Sequence, residues 1–230
     1  MEAIAMYLPW ILILVGYLVG GVPIGLLIGR SRGVDLTHVG SGNIGASNVM
    51  RTLGAKFGIL VWLADLLKGL VPVVWAGLLI RTRLDDPWPY LAAVGFAAVL
   101  GHCFSPYLRL HGGRGVSTSL GAVLGLDWRV GLIAFAGWIF LLILSRYISL
   151  SSIVAAISVP VLFAFLKPET AATQRPFLIM GIALAALVLL KHIPNIKRLL
   201  TGTESKVGEK TPLPMPEGIE GGPESETEYR

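Results

Sequence analysis

The sequence is poor in charge and nearly devoid of cysteine. Only 14% of its 230 residues are charged, against about a quarter in a typical soluble domain, which argues against a water-soluble globular protein. The single cysteine, Cys103, excludes a disulfide framework, a thiolate zinc site and an internal redox pair. The histidines, His38, His102, His111 and His192, form no HExxH and have no acidic partner at ligand spacing, so no metal is expected. A GxSxG elbow, a Walker A spacing and a magnesium-binding aspartate cluster are all missing. The 28 glycines and 14 prolines follow no repeat, which excludes a collagen-like chain and weakens an inverted-repeat transporter.

Apolar residues make up 54% of the chain, and they gather into runs. Ala3 to Gly29 carry no charge, more than the roughly 20 residues that cross a bilayer. With Glu2 before it and no basic residue until Arg30, this run reads as a retained first helix, opened near Gly20-Gly21-Val22-Pro23. Further runs are Phe57 to Ile80, Tyr90 to Leu108, Gly115 to Leu126, Val130 to Leu144, Ile148 to Leu166 and Phe177 to Leu190; the fourth is short. The expected fold is an all-α integral membrane protein of about seven transmembrane helices. With the N-terminus outside, thirteen Lys and Arg fall on inner segments and five on outer ones, which accounts for most of the net charge of +5 without nucleic acid. Residues 1–200 read as the membrane domain and 201–230 as a cytoplasmic, largely disordered tail.

This layout puts three polar segments on the cytoplasmic face. The first, Ser41 to Arg51, combines small residues with Asn43, Asn48 and the planar fork of Arg51; a polar loop capping a helix is the plain alternative. In the second, Gly112-Gly113-Arg114-Gly115 precedes Val-Ser-Thr and an apolar helix, as a phosphate cradle does; the alternative is a flexible turn anchored to lipid headgroups. The third runs from Lys191 through His192, Asn195 and Arg198, whose three-residue spacing puts them near one helix face unless Pro194 bends it. A basic flank explains its cations but not its His and Asn. Asp65 and Lys68, three residues apart inside a span, read as an ion pair or as a lysine reaching the polar face. Ser149, Ser151 and Ser152 are candidate caps, one of which can face the site.

Taken together and in order, these segments resemble motifs of the bacterial acyl-phosphate:glycerol-3-phosphate acyltransferases, the PlsY family: SGNxGATNxxR, GHxF…GGKGVAT and HxxNIxRLxxGxExK. Asp65 to Gly69 and Arg146 to Leu150 match further stretches, so the resemblance runs from about Gly16 to Gly208. Arg114 replaces the usual Lys, Ser47 and Ser117 replace Thr and Ala, and Pro194 enters the third motif.

The resemblance implies an enzyme of the bacterial inner membrane, multi-pass, with its active site on the cytoplasmic face. It would move a fatty acyl group from acyl phosphate to the 1-hydroxyl of sn-glycerol 3-phosphate, giving 1-acylglycerol 3-phosphate and phosphate without a cofactor. Four residues intervene between His102 and Tyr107, where a His-x4-Asp acyltransferase has its aspartate, so neither acyl-CoA nor acyl carrier protein is the expected donor. A soluble acyl-phosphate-forming enzyme is the implied functional link. Ser41, Arg51, Ser149, His192 and Asn195 are the implied catalytic set. Asn43, Asn48, Lys68, Gly112, Gly113, Arg114, Gly115 and Arg198 are the implied phosphate-binding set. Either His192 or a substrate phosphate would take the hydroxyl proton. The rival readings are a small-anion transporter or channel and a scaffold binding anionic lipid.

Overall fold

The computed structural model describes residues 2–166 and 171–209, and its regular elements are helical. They are α1 (Glu2–Gly21), α2 (Ile24–Ser31), α3 (Ala46–Leu53), α4 (Ala55–Ile80), α5 (Trp88–Cys103), α6 (Val116–Leu126), α7 (Trp128–Ser145), α8 (Ile148–Leu166), α9 (Ala171–Lys191) and α10 (Ile193–Leu200). Five stretches are long and apolar enough to cross a membrane: Met6–Ser31, Ala55–Ile80, Trp128–Ser145, Ile148–Leu166 and Gln174–Lys191. α5 and α6 are apolar but shorter.

The expected break in the first run is present. α1 stops at Gly21 and α2 begins after Pro23, which cannot continue a hydrogen-bond ladder through its nitrogen. The third run is shorter than its apolar residues imply. Ser105 precedes Pro106 and adopts an extended conformation, so α5 ends at Cys103 and a 3-10 turn covers Pro106–Leu108. Pro194 does not bend a helix. It sits in the first turn of α10, where a missing N–H costs nothing, and starts that helix after His192.

Lipid-facing and packed faces follow helical spacing. On α4, Leu60, Leu63, Leu67, Val71, Val74 and Leu78 are exposed, while Val61, Asp65, Lys68, Val73 and Ala76 are buried. Small residues let the helices approach. A Cβ on Gly69 would fall on the Thr118 carbonyl, and one on Gly121 on that of Leu66, so α4 and α6 meet backbone to backbone. α1 packs on α5, α7 on α8 and α8 on α9. Phe163 and Phe177, both fully buried with ring centroids 5.5 Å apart, fill the α8–α9 contact.

Residues 201–209 fold back over the ends of the bundle: Val207 N–H donates to the Arg146 carbonyl at 2.9 Å, and Arg146 Nη2 to the Val207 carbonyl at 3.0 Å. The proposed boundary at residue 200 therefore cuts through packed chain. The acidic stretch from Thr211 lies outside the described residues.

Candidate active site

One cavity of about 400 Å³ opens among α3, α4, α6, α7, α8 and the start of α10, a size usual for small-molecule sites. One part is polar, lined by Ser41, Arg51, Arg114, Ser149, His192 and Glu204. It continues along the helices to Val123, Ala134 and Val159, beside Trp62, Phe135 and Trp138. Those three rings stack in series, with centroids 5.6 and 5.9 Å apart. Trp138 Nε1–H donates to Ser152 Oγ at 3.1 Å, and the Ser152 hydroxyl donates to the Ile148 carbonyl. Ser151 likewise bonds back to the Tyr147 carbonyl, so neither serine caps α8.

The first polar segment is a loop built by its own asparagines. Asn48, 2% exposed, accepts the Ser41 N–H at 3.0 Å and donates to the carbonyls of Leu36 and Val39. Its polar atoms thus shape the loop, and the residue lines the cavity with Ser41 and Asn43. Asn43 accepts the Gly45 N–H at 2.8 Å and lines the cavity beside Ser41. Arg51, in the last turn of α3, lines the cavity and donates to the Ser205 carbonyl at 3.4 Å.

The second segment is pinned from below. Gly113 N–H donates to the His102 carbonyl at 3.0 Å, and a Cβ on Gly113 would overlap the His102 ring. Arg109 and Leu110 both have positive φ, and hydrogen bonds from Leu108 and Leu110 N–H to the Ser105 carbonyl hold that turn. Gly115, φ +82°, caps α6 without a side-chain cap, so the positive end of that helix meets the cavity. Arg114 and Gly115 line the cavity, whereas Gly112 and Gly113 form the bend behind them. Ser117 and Ser119 continue the lining, and the Ser119 hydroxyl is buried without a hydrogen-bond partner. Burial lowers the Arg114 pKa to about 10, with Arg198 and Arg51 adding to it and Glu204 opposing. The guanidinium stays charged at neutral pH.

The third segment converges on Glu204. Asn195 Nδ2 donates to one carboxylate oxygen and Arg198 Nε to the other, each at 2.6 Å. Burial opposes the charge of Glu204, but the nearby Ser149 hydroxyl and the hydrogen bonds from Asn195 and Arg198 outweigh it and hold the carboxyl below its usual range. Ser149 Oγ lies close enough to favour the anion without reaching good hydrogen-bond geometry. Arg198 and Asn195 thus do not line the cavity; they fix the glutamate that does. His192, 2% exposed, donates Nδ1–H to the Val188 carbonyl at 2.8 Å, leaving Nε2 as the acceptor. Burial pushes its pKa down to about 4, the Val188 carbonyl and Glu204 opposing and Arg114 adding to the fall. Neutral imidazole is the form at physiological pH.

Lys68, expected in the phosphate-binding set, is not among the residues lining the cavity. Its ammonium lies 2.9 Å from Asp65 and donates to the Val22 carbonyl at 2.7 Å, away from the cavity. Glu204, Asp65, His102 and the aromatic wall line the cavity without having been assigned a site role from sequence. For Glu204 the signals in the sequence were the E of the HxxNIxRLxxGxExK motif and its place as an acid within a basic segment.

A family model described as glycerol-3-phosphate acyltransferase matches residues 10–202. The glycerol-3-phosphate acyltransferase of Geobacter sulfurreducens is 47% identical over 85% of this chain and 96% of its own length. That of Geotalea daltonii is 45% identical over 85% and 95%. Among solved structures, PlsY, an integral membrane glycerol 3-phosphate acyltransferase in its glycerol 3-phosphate form, superposes with a TM-score of 0.78 at 40% identity, covering 87% of this chain and 96% of that one. An apolar helical bundle with a half-cationic, half-apolar cavity and these relatives define a membrane acyltransferase. The chain belongs to the glycerol-3-phosphate acyltransferase family, that of PlsY.

Proposed function

We propose that this chain transfers a fatty acyl group from acyl phosphate to the 1-hydroxyl of sn-glycerol 3-phosphate, giving 1-acylglycerol 3-phosphate and inorganic phosphate. The observation that carries the reading is one cavity in which Arg51 and Arg114 stand at a polar end continuous with an apolar wall of Trp62, Phe135 and Trp138. One part suits two phosphates, the other an acyl chain. Helix count and sidedness belong to the same proposal: seven crossings, the N-terminus outside, and the site at the cytoplasmic face of a bacterial inner membrane. A soluble enzyme that forms acyl phosphate supplies the donor.

The chemistry asks little acid of the protein. The glycerol hydroxyl oxygen attacks the acyl carbonyl carbon, the bond from that carbon to the phosphate oxygen breaks, and phosphate leaves as a stable anion. Arg114, Arg51 and the start of α6 hold the phosphates and offset charge as it moves. His192 accepts the substrate hydroxyl at Nε2 and orients it. Its low basicity makes it a weak proton acceptor, so the hydroxyl proton goes to a substrate phosphate, whose second ionisation lies near pH 6 by analogy with phosphorylated side chains. The transporter alternative is not favoured, because the cavity runs from its cations to apolar Val123, Ala134 and Val159.

Purified protein given palmitoyl phosphate and glycerol 3-phosphate is expected to release phosphate and form lysophosphatidic acid, and palmitoyl-CoA to give no product. Phosphate release no greater than that of Arg51→Ala overturns the reading.

A further inference from the structure

Beneath the glycine loop lies a charge cluster that the proposed chemistry does not use. Asp65, Lys68 and His102 are 3%, 8% and 6% exposed within the helices. Lys68 Nζ is 2.9 Å from Asp65 Oδ1 and donates to the Val22 carbonyl at the α1–α2 break. His102 Nδ1 stands 3.7 Å from the same Asp65 oxygen and has no hydrogen-bond partner. The His102 carbonyl takes the Gly113 N–H, and its ring fills the space a side chain at Gly113 would need. Asp65 and His102 line the cavity; Lys68 stands behind Asp65.

Ionised groups in an apolar bundle are costly, and screening there is weak. A bare carboxylate at Asp65 would therefore repel any phosphate held by the loop above it. Lys68 cancels that charge from the far side. The His102–Gly113 contact joins the cluster to the loop.

We propose that Lys68 is a positioning residue that governs the binding of substrate phosphate through Asp65: it neutralises the floor of the Gly112–Gly115 loop without touching substrate. The inference rests on the reading that this loop and Arg114 hold a phosphate.

The test is a charge-removal series on purified full-length protein: Lys68→Met, Asp65→Asn and the double variant. Two quantities are followed: the glycerol 3-phosphate dependence of Tm, which needs no acyl donor, and the KM and kcat with palmitoyl phosphate. Lys68→Met is expected to weaken glycerol 3-phosphate at least ~10-fold in KM, with kcat within ~3-fold of native. Asp65→Asn, which leaves an extra positive charge, binds at least as tightly as native. The double variant returns to within ~3-fold of native affinity, because the floor is again neutral. A merely structural pair predicts loss in both single variants and recovery in the double one, so tight binding in Asp65→Asn is the outcome that separates the two readings.

Native affinity in Lys68→Met, weakened binding in Asp65→Asn, or a double variant weaker than Lys68→Met overturns the proposal. Should Lys68→Met fail to fold, Asp65→Asn and the double variant decide it by the same criteria. A native protein whose Tm ignores glycerol 3-phosphate and which shows no turnover overturns the phosphate reading, and this inference with it. A responsive native protein with an indifferent Lys68→Met overturns the coupling alone.

Discussion

At the scale of single residues, backbone neighbours decide what a side chain can do. The Val188 carbonyl selects the His192 tautomer, and burial keeps the ring neutral with a pKa near 4, against about 6.5 in an unfolded chain. The sign follows: the unfolded chain binds the proton first, so this contribution to stability is complete above about pH 6.5 and is lost as pH falls toward 4. At pH 5 the loss is of order 1–2 kcal/mol. Between pH 7.5 and pH 5 the native Tm is expected to fall several degrees further than that of His192→Gln, measured by differential scanning fluorimetry. Equal falls would show that the imidazole is not held neutral.

Arg114 poses a second question at this scale. A planar fork differs from a compact ammonium in how it grips two phosphate oxygens. Arg114→Lys keeps the charge and is expected to raise the KM for a phosphate substrate several-fold with the fold intact. Arg114→Ala removes a charged hydrogen-bond donor and should cost about 2–3 kcal/mol of transition-state stabilisation, roughly 30- to 150-fold in kcat/KM. Steady-state kinetics on both variants checks the ranking.

At the scale of elements, the glycine loop and α6 act as one unit. Gly115 has φ +82°, and a Cβ there would also stand 2.8 Å from the Cys103 sulfur. Gly115→Ala is expected to lower kcat/KM more than tenfold through a tilted first turn of α6, an order-of-magnitude figure for strained turns. Circular dichroism should show the helical content retained. The helix itself was legible: the apolar run from Phe57 to Ile80, with Asp65 and Lys68 three residues apart, is visible in the linear chain, whereas its packed face is not, because both faces are apolar. Helix ends were less legible. Apolar Phe104 and Leu108 extend the third run in sequence, and only the Ser105–Pro106 turn stops the helix before them.

For the whole molecule, the expected sidedness can be measured with a silent background, because the one native cysteine, Cys103, is buried. In intact cells, a membrane-impermeant maleimide is expected to label Arg83→Cys directly and Arg32→Cys only after permeabilisation. The opposite pattern would invert the proposed orientation. At this scale the segment after α10 also changes its meaning. Glu204 sits near Arg51, Arg114 and Arg198, so the segment after α10 contributes a carboxylate to the polar end of the cavity.

Length and spacing of apolar runs, the scarcity of charge and three polar motifs determined the helical membrane class and the family from sequence alone. In a low-dielectric setting those patterns have few alternative solutions, since backbone groups must pair within helices. The assignments that needed tertiary structure are those set by distances between segments far apart in the chain. Lys68 turns to Asp65 and Val22, Asn48 shapes its own loop, and Asn195 and Arg198 serve Glu204. Residue type and spacing name the groups available to a site. Which of them face the cavity depends on which hydrogen bonds and charges are already satisfied elsewhere, and that balance exists only in the packed molecule.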